Sequence, residues 1–446
     1  MLYPGSLAAR WPYNYDMQRR LVPLLVSDFL TVLSLMMGHV AIPWWIVTEG
    51  GAQDLAIFAA FGAASAVFST ALLSPLADRY EKRSVIFFGL LVLTACSAGP
   101  VVLAAFGMYD IRALTLLQIA AGISSGAVSP AMLTIASELV PAANLSKAVA
   151  MQQSAQSTGR LVGPLIAAAL LASFGTTVAL VAHSLLLLVA VIAAKALPRP
   201  TTLRNCTVSG SWLRDIRAAA AVIWAIPLER GWTLATFFSW MFVFPGITIF
   251  VPLKVQAMGL GPTWVGIAEA GLSVGVLSGA LGGAAVLIKR LGRYQARMSA
   301  AVIQGASLIL AGLATNPWLF AASLLLTGLS LSVSALAGSA HRTLARPPAF
   351  RARMSSLTIL SFQVAASVGP VIAGACLARW SISVVYVGFG VLAGSFAFFL
   401  LVVPRFREFM GLSHEHVEGW YERSYPHVFS AVVGSREHGA AAKGSS

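Results

Sequence analysis

Stretches of about twenty consecutive apolar residues recur along the whole chain, separated by short and often charged segments, and nothing else in the sequence limits the fold as strongly. A helix rises about 1.5 Å per residue, so about twenty residues cross the roughly 30 Å hydrocarbon layer of a bilayer. In that solvent every backbone N–H and C=O must be paired inside the chain, which helices achieve within each segment. Spans are predicted at 21–48, 54–73, 84–106, 113–139, 147–173, 176–197, 231–256, 262–288, 298–315, 317–340, 354–378 and 381–403. With 58% hydrophobic and 10% charged residues in 446, the chain has too little polar surface for a set of soluble domains. The expected class is an all-α integral membrane protein of twelve helices. No brief apolar core with a small-residue cleavage site precedes the first span, so that span is expected to stay.

Lysine and arginine in short loops are retained on the cytoplasmic side. With these spans, 26 of the 30 basic residues fall on one side, Arg112, Lys254 and Arg379 on the other, and Arg160 inside a span. A multi-pass protein with both termini cytoplasmic follows. The net charge of +14 is spread over loop ends and forms no stripe with interleaved aromatics, so lipid headgroups and not nucleic acid are the expected anionic partners. Cys96, Cys206 and Cys376 lack metal-ligand spacing, no phosphate-binding loop occurs, and no cofactor or metal is expected. The histidines of the C-terminal tail, His414, His416, His427 and His438, read as part of a solvated, partly disordered segment.

The chain repeats. VGPLIAAALLA at 162–172 and VGPVIAGACLA at 368–378 agree at eight of eleven positions, an offset of 206 that lays span 5 on span 11. Two six-helix repeats therefore run in the same direction, an architecture in which a site forms near the bilayer midplane. The expected organisation is an N-tail 1–20, a six-helix bundle 21–197, a linker 198–230 with an interfacial helix, a second bundle 231–403 and a C-tail 404–446.

Between spans 2 and 3 lies SPLADRYEKR, five charges in six positions. Leu76, Ala77, Asp78, Arg79, Lys82 and Arg83 resemble the signature loop G-x-L-A-D-R-x-G-R-R/K of the major facilitator superfamily. Ser74 and Glu81 stand at its two glycines. The resemblance implies a cytoplasmic gate formed by Asp78, Arg79, Lys82 and Arg83. ASELVPAANLSKAVAMQQSAQSTGRLVGP and PPAFRARM resemble stretches of the enterobactin-exporter and transmembrane secretion effector branch of bacterial exporters, which implies the bacterial inner membrane. Gly159, Gly163 and Pro164 resemble an antiporter motif, and with Gly369 and Pro370 in the second copy they are candidates for a hinge or for close packing. Antiporters of the superfamily often carry an arginine in helix 4, where this chain has Gln118. Gly271, Gly275, Gly279 and Gly283 form a small-residue ridge read as packing, and the GLSVG within it lacks the strand and turn of a hydrolase elbow.

Ionisable residues inside spans are functional candidates, because each costs roughly 2.5–3.5 kcal/mol at a helix centre. Asp28 and His39, eleven residues apart, return to one helix face and are candidates for reversible protonation. Glu269 is the second acid, able to take a proton or a cationic group. Gln153 and Gln156 lead along one stripe to Arg160, which suits a substrate carboxylate or an internal partner such as Asp28. His183 reads as a packing residue. One or two of Phe237, Phe238 and Trp240 in span 7 are expected to form an aromatic cavity wall.

The resemblance and these residues together predict a monomeric secondary transporter, not an enzyme, that exports a small amphipathic molecule such as a siderophore, secondary metabolite or drug by proton antiport. Uptake or facilitated diffusion is the alternative. An intramembrane enzyme using Ser124 or Ser273, or a sensor acting through the tail, is a remoter one.

Overall fold

The computed structural model describes residues 10–73, 80–140, 142–198, 220–426 and 428. Asp78 and Arg79 of the predicted gate, and His427 and His438 of the tail, lie outside them. All regular structure in the described residues is helical. The first half holds α1 (Arg10–Glu49), α2 (Gly51–Leu73), α3 (Lys82–Ala105), α4 (Ile111–Leu139) and α5 (Ala142–Lys195). The second holds α6 (Pro227–Ile247), α7 (Phe250–Ala257), α8 (Thr263–Ser278), α9 (Ala284–Leu291), α10 (Arg293–Leu313), α11 (Pro317–Ala345), α12 (Pro348–Leu377) and α13 (Ile382–Phe398). Three short helices follow, α14 (Phe406–Gly411), α15 (His414–Val417) and α16 (Trp420–Ser424). A π-helical turn, Gly279–Gly283, joins α8 to α9.

Among the described residues ten helical segments are each long and apolar enough to cross a membrane, and α6 with α7, bent by 43°, makes an eleventh. One of the ten, 147–195, has 49 residues, enough to cross twice. It is broken at Gly175, whose φ of 81° is open to glycine and costly for other residues. Counting its two arms separately gives the twelve predicted spans. Helix ends follow local chemistry: Asp110 caps α4 by accepting from the Arg112 amide at 2.8 Å, and Asn316 caps α11 by accepting from the Trp318 amide at 2.8 Å, with Pro317 in the first turn.

The chain divides into two compact units. The first comprises the described residues within 1–207, 251–270 and 374–379. In it α1 lies along both arms of α5. Gln156 reaches α1 from the first arm, and Ser27 and Ser34 of α1 bond to Ala190 and His183 of the second. Buried Leu24, Leu90, Met132, Ile135, Ala190 and Ala194 make its apolar core. Residues 251–270 belong to this unit through Gln256, whose side-chain amide donates to the Val47 carbonyl at 3.3 Å, and through Gly266, which packs on Pro164 and Ala168.

The second unit comprises the described residues within 208–250, 271–373 and 380–446. The glycine ridge packs as predicted: Gly271, Gly275 and Gly279 of α8 and its π turn press on Ala321, Leu325 and Ser332 around α11. GLSVG lies wholly within helix α8, with no strand before it.

The tail departs from its expectation as a solvated segment. Phe406, Phe409, Met410, Val417, Trp420 and Tyr421 are buried. They close over Trp232 at the start of α6, with ring centroids of Phe406 and Phe409 at 5.1 and 6.0 Å from it. The Gly419 amide donates to the Leu344 carbonyl, and His341 on α11 hydrogen-bonds the Leu412 carbonyl at 3.0 Å. The physical reason is the amount of aromatic surface, which offsets the charge of the intervening residues once it meets the open end of a bundle.

Candidate functional site

Two polar centres stand out, one in each unit. The first follows the sequence. Asp28, 3% exposed, accepts a hydrogen bond from the Gln156 side-chain amide at 2.8 Å. Gln152, one residue off the predicted stripe, is also buried, donates to the Met132 carbonyl at 3.0 Å, and acts on Asp28 as well. Gln153 is exposed. Arg160 is exposed too, yet its charge is felt at Asp28. The acid is thus held chiefly by neutral amides, and an acid so held can gain or lose a proton without leaving a buried cation unpaired.

Asp28 and His39 do not share an environment. His39 is exposed, while the face of α1 packed on α5 runs through buried Asp28, Thr31 and Ser34. His183 is buried, and its Nδ1 lies 2.7 Å from the Ser34 hydroxyl, so it packs α1 on the second arm of α5 as expected. Gln118 fills the space beside Gly62. Ser124 donates to the Gly89 carbonyl at 2.8 Å, the bond of a packing residue.

Glu269 lies on α8, in the part of that helix belonging to the first unit. It is half-buried and makes no hydrogen bond or ion pair among the described residues. It sits one turn from Gly266, which rests against Pro164 and Ala168 of α5.

Gly159 and Gly163 bring α5 onto α1. A Cβ on Gly159 would fall 3.0 Å from the Leu33 nitrogen, and one on Gly163 2.7 Å from the Met36 Cβ and 2.8 Å from the Leu33 carbonyl. Gly369 makes the corresponding approach of α12 to Met241 and Pro245 of α6. Pro164 and Pro370 lie inside their helices one residue later. Of the predicted gate, Lys82 pairs with Glu138 at 2.7 Å, and Arg83 donates to the Lys195 carbonyl at 2.7 Å. Phe237, Phe238 and Trp240 are half-buried within a run of ring contacts: Phe238 stacks on Phe396 at 4.8 Å, and Trp240 meets Phe362 edge-on at 5.9 Å.

The second centre escaped sequence reasoning. Glu229, at 0% exposure in the first turn of α6, receives Arg342 Nε at 2.9 Å and Arg346 Nε at 3.2 Å. Arg342 also donates to Thr233 at 2.6 Å and lies 5.0 Å from the Trp232 ring, while Arg346 donates to Ser355 and Thr358 at 3.0 Å each. These bonds fasten the ends of α6, α11 and α12, and the tail covers them. Among the described residues no group of three or more histidine, cysteine or acidic side chains is placed to hold a metal.

Comparison with known proteins follows the same architecture. A search of curated protein sequences gives no match. Among solved structures, the chain is similar to a point mutant of the nucleoside transporter NupG, with a TM-score of 0.71 at 15% identity over 86% of this chain and 99% of that one. It is also similar to a bacterial homologue of the iron transporter ferroportin in an inward-facing state, with a TM-score of 0.67 at 16% identity over 89% and 99%. A bacterial homologue of the human lysosomal transporter Spinster gives 0.62 at 16% identity over 91% and 97%. At such identities these likenesses establish the fold. A family profile described as Major Facilitator Superfamily matches residues 24–307, more than half of the chain, and the protein therefore belongs to that superfamily of membrane transporters.

Proposed function

We propose that this transporter exports a small amphipathic molecule from the bacterial cytoplasm by proton antiport, with a siderophore, another secondary metabolite or a drug as the substrate class and a monomer as the working unit. The observation that carries the reading is the pair of acids in membrane spans without a salt bridge among the described residues: Asp28, held by Gln156, and Glu269, half-buried with no polar partner there. A carboxylic acid in that setting exchanges a proton at lower cost than one locked to an arginine. An inward proton moving through 100 mV supplies about 2.3 kcal/mol, enough to drive accumulation without a nucleotide.

In this reading Arg160, near Asp28 on α5, receives an anionic group of the substrate. Gly159, Gly163 and Pro164 let α5 shift against α1. The loop holding Asp78, Arg79, Lys82 and Arg83 closes the cytoplasmic end, where the excess of basic residues also puts both termini. The likeness of SELVP and FRARM to the secretion effector branch supports the outward direction.

The test is to compare small molecules in the medium of cells expressing wild type, Asp28→Asn, Glu269→Gln and no protein, with and without a protonophore. Export is expected as a compound enriched outside only by wild type and abolished by the protonophore. A compound that instead accumulates inside wild-type cells overturns export and establishes uptake. Enrichment that persists in both variants and with the protonophore overturns proton coupling.

A further inference from the structure

At one end of the first unit, residues Glu81, Arg83, Ser84, Phe87, Phe88 and Lys195 surround a cavity of about 240 Å³. Arg83 is the second residue of one membrane span and Lys195 the last of another, so the cavity lies where a bilayer changes from hydrocarbon to headgroups. We infer that it is a binding site for the headgroup of an anionic phospholipid, with the phosphate between Arg83 and Lys195 and an acyl chain along Phe88.

Three observations support the assignment. Neither Arg83 nor Lys195 has a carboxylate within 4 Å among the described residues, whereas the adjacent Lys82 is paired with Glu138. The cavity's carboxylate, Glu81, accepts from the Ser84 hydroxyl at 3.2 Å, and among the described residues one acid stands against two cations in the lining. The Arg83 guanidinium is positioned by the Lys195 carbonyl, which takes one Nη2 hydrogen at 2.7 Å and leaves the rest of the planar fork for the two oxygens of a phosphodiester.

The surroundings match a lipid and not only a free anion. Phe88 is 62% exposed on a span, in edge contact with Phe87 at 5.3 Å, an apolar continuation from the cationic mouth toward the hydrocarbon. The Glu81 side chain precedes α3 without accepting from the backbone amides of its first turn, so those amides add a small positive field on the same side. Basic pockets between spans at headgroup depth have the chemistry for anionic headgroups.

The test uses the full-length protein purified in a neutral detergent, and native mass spectrometry with added phosphatidylglycerol, phosphatidylcholine or inorganic phosphate. Wild type is expected to retain phosphatidylglycerol at least about tenfold better than phosphatidylcholine. Arg83→Gln combined with Lys195→Gln is expected to remove that preference. Arg83→Lys with Lys195→Arg should retain most of it, and Lys289→Gln with Arg290→Gln, on α9, should leave it intact. A loss shared by the charge-neutral and charge-retaining pairs at an unchanged melting temperature refutes the charge-based site. Equal retention of the two lipids, retention in the neutral pair, or full displacement of phosphatidylglycerol by millimolar inorganic phosphate each overturns the lipid assignment.

Discussion

The seam of α1 against α5 and the seam of α6 against α12 are the same piece of the repeat built twice, and their chemistry differs. The offset of 206 carries Gly163 onto Gly369 and Pro164 onto Pro370, and in both copies the glycine lets one helix press on the backbone of its neighbour. The same offset carries Gln152 onto Thr358, Gln156 onto Phe362 and Arg160 onto Ala366, while the backbones that the two glycines meet, at Leu33 and at Met241, lay Asp28 on Thr236. Where the first seam holds an acid and two buried amides, the second holds Trp240 edge-on to Phe362 at 5.9 Å. The glycine and proline are therefore what the fold needs. The acid and amides are not, since the second seam closes without them, and a buried polar set that packing can replace points to work other than packing.

The two units also use their buried acids differently, and Glu229→Gln gives the largest expected effect. Arg342 and Arg346, 6% and 2% exposed, would lose their carboxylate, a loss of about 3–5 kcal/mol for a broken buried pair. Thermal unfolding in detergent should show the second unit melting early, whereas Asp28→Asn should unfold like wild type. A Glu229→Gln protein as stable as wild type would remove the distinction between a fastening acid and a working one.

Next in size is an exchange of chemistry between seams. Asp28→Leu together with Gln156→Phe replaces the polar pair of the first seam by apolar residues, with phenylalanine as at Phe362 of the second. Because both partners of the pair are replaced by apolar groups, folding should change little, while transport falls at least about tenfold. Transport at the wild-type rate from a well-folded double variant would deprive the polar seam of its proposed role.

A smaller effect separates hinge from packing. Gly163→Ala and Gly369→Ala each add one methyl group to a tight approach, a cost of about 1–3 kcal/mol. If only packing matters, stability and transport should fall together in both. The hinge reading expects Gly163→Ala to slow transport beyond its loss of stability, and matching ratios in the two variants would count against it.

The smallest effect belongs to the tail. Arg405 and Glu408, 41% and 51% exposed, pair at 2.8 Å, and this pair should contribute no more than about 0.5 kcal/mol. The hydrogen bond from Arg405 holds the Glu408 carboxyl below its ordinary value. Its contribution is thus present above the unfolded carboxylate range and disappears as pH falls through the depressed value. Melting curves of wild type and Glu408→Gln should differ slightly at neutral pH and coincide in acid. A difference that grows in acid would reverse the sign of the linkage.

How much of this was legible follows from which signals are local. Span positions and the repeat are, because hydropathy and glycine spacing need no partner to be read. The acid at Asp28 was also visible as a charge within an apolar run. Its buried partner Gln152 was missed by one position, since the stripe drawn through Gln153, Gln156 and Arg160 assumes a straight helix axis facing one neighbour, whereas α5 serves both α1 and α4. The Glu229 centre was hidden by its surroundings: Glu229 falls in the predicted linker, and Arg342 and Arg346 look like ordinary loop charges. The tail carried an overlooked signal in Phe406, Phe409 and Met410, spaced three and four apart among charges, the mark of a helix face that gets covered.

The fastening of the second unit has a consequence for synthesis. Glu229 leaves the ribosome 113 residues before Arg342 and 180 before Phe409, whose ring covers the neighbouring Trp232. At about 5–20 residues per second the acid spends on the order of ten seconds without its arginines. Through that interval the insertion machinery or bulk water must shelter it, and slow codons between 229 and 342 lengthen the exposure. The same protein sequence can thus reach the membrane in different yields according to the pace of its own translation.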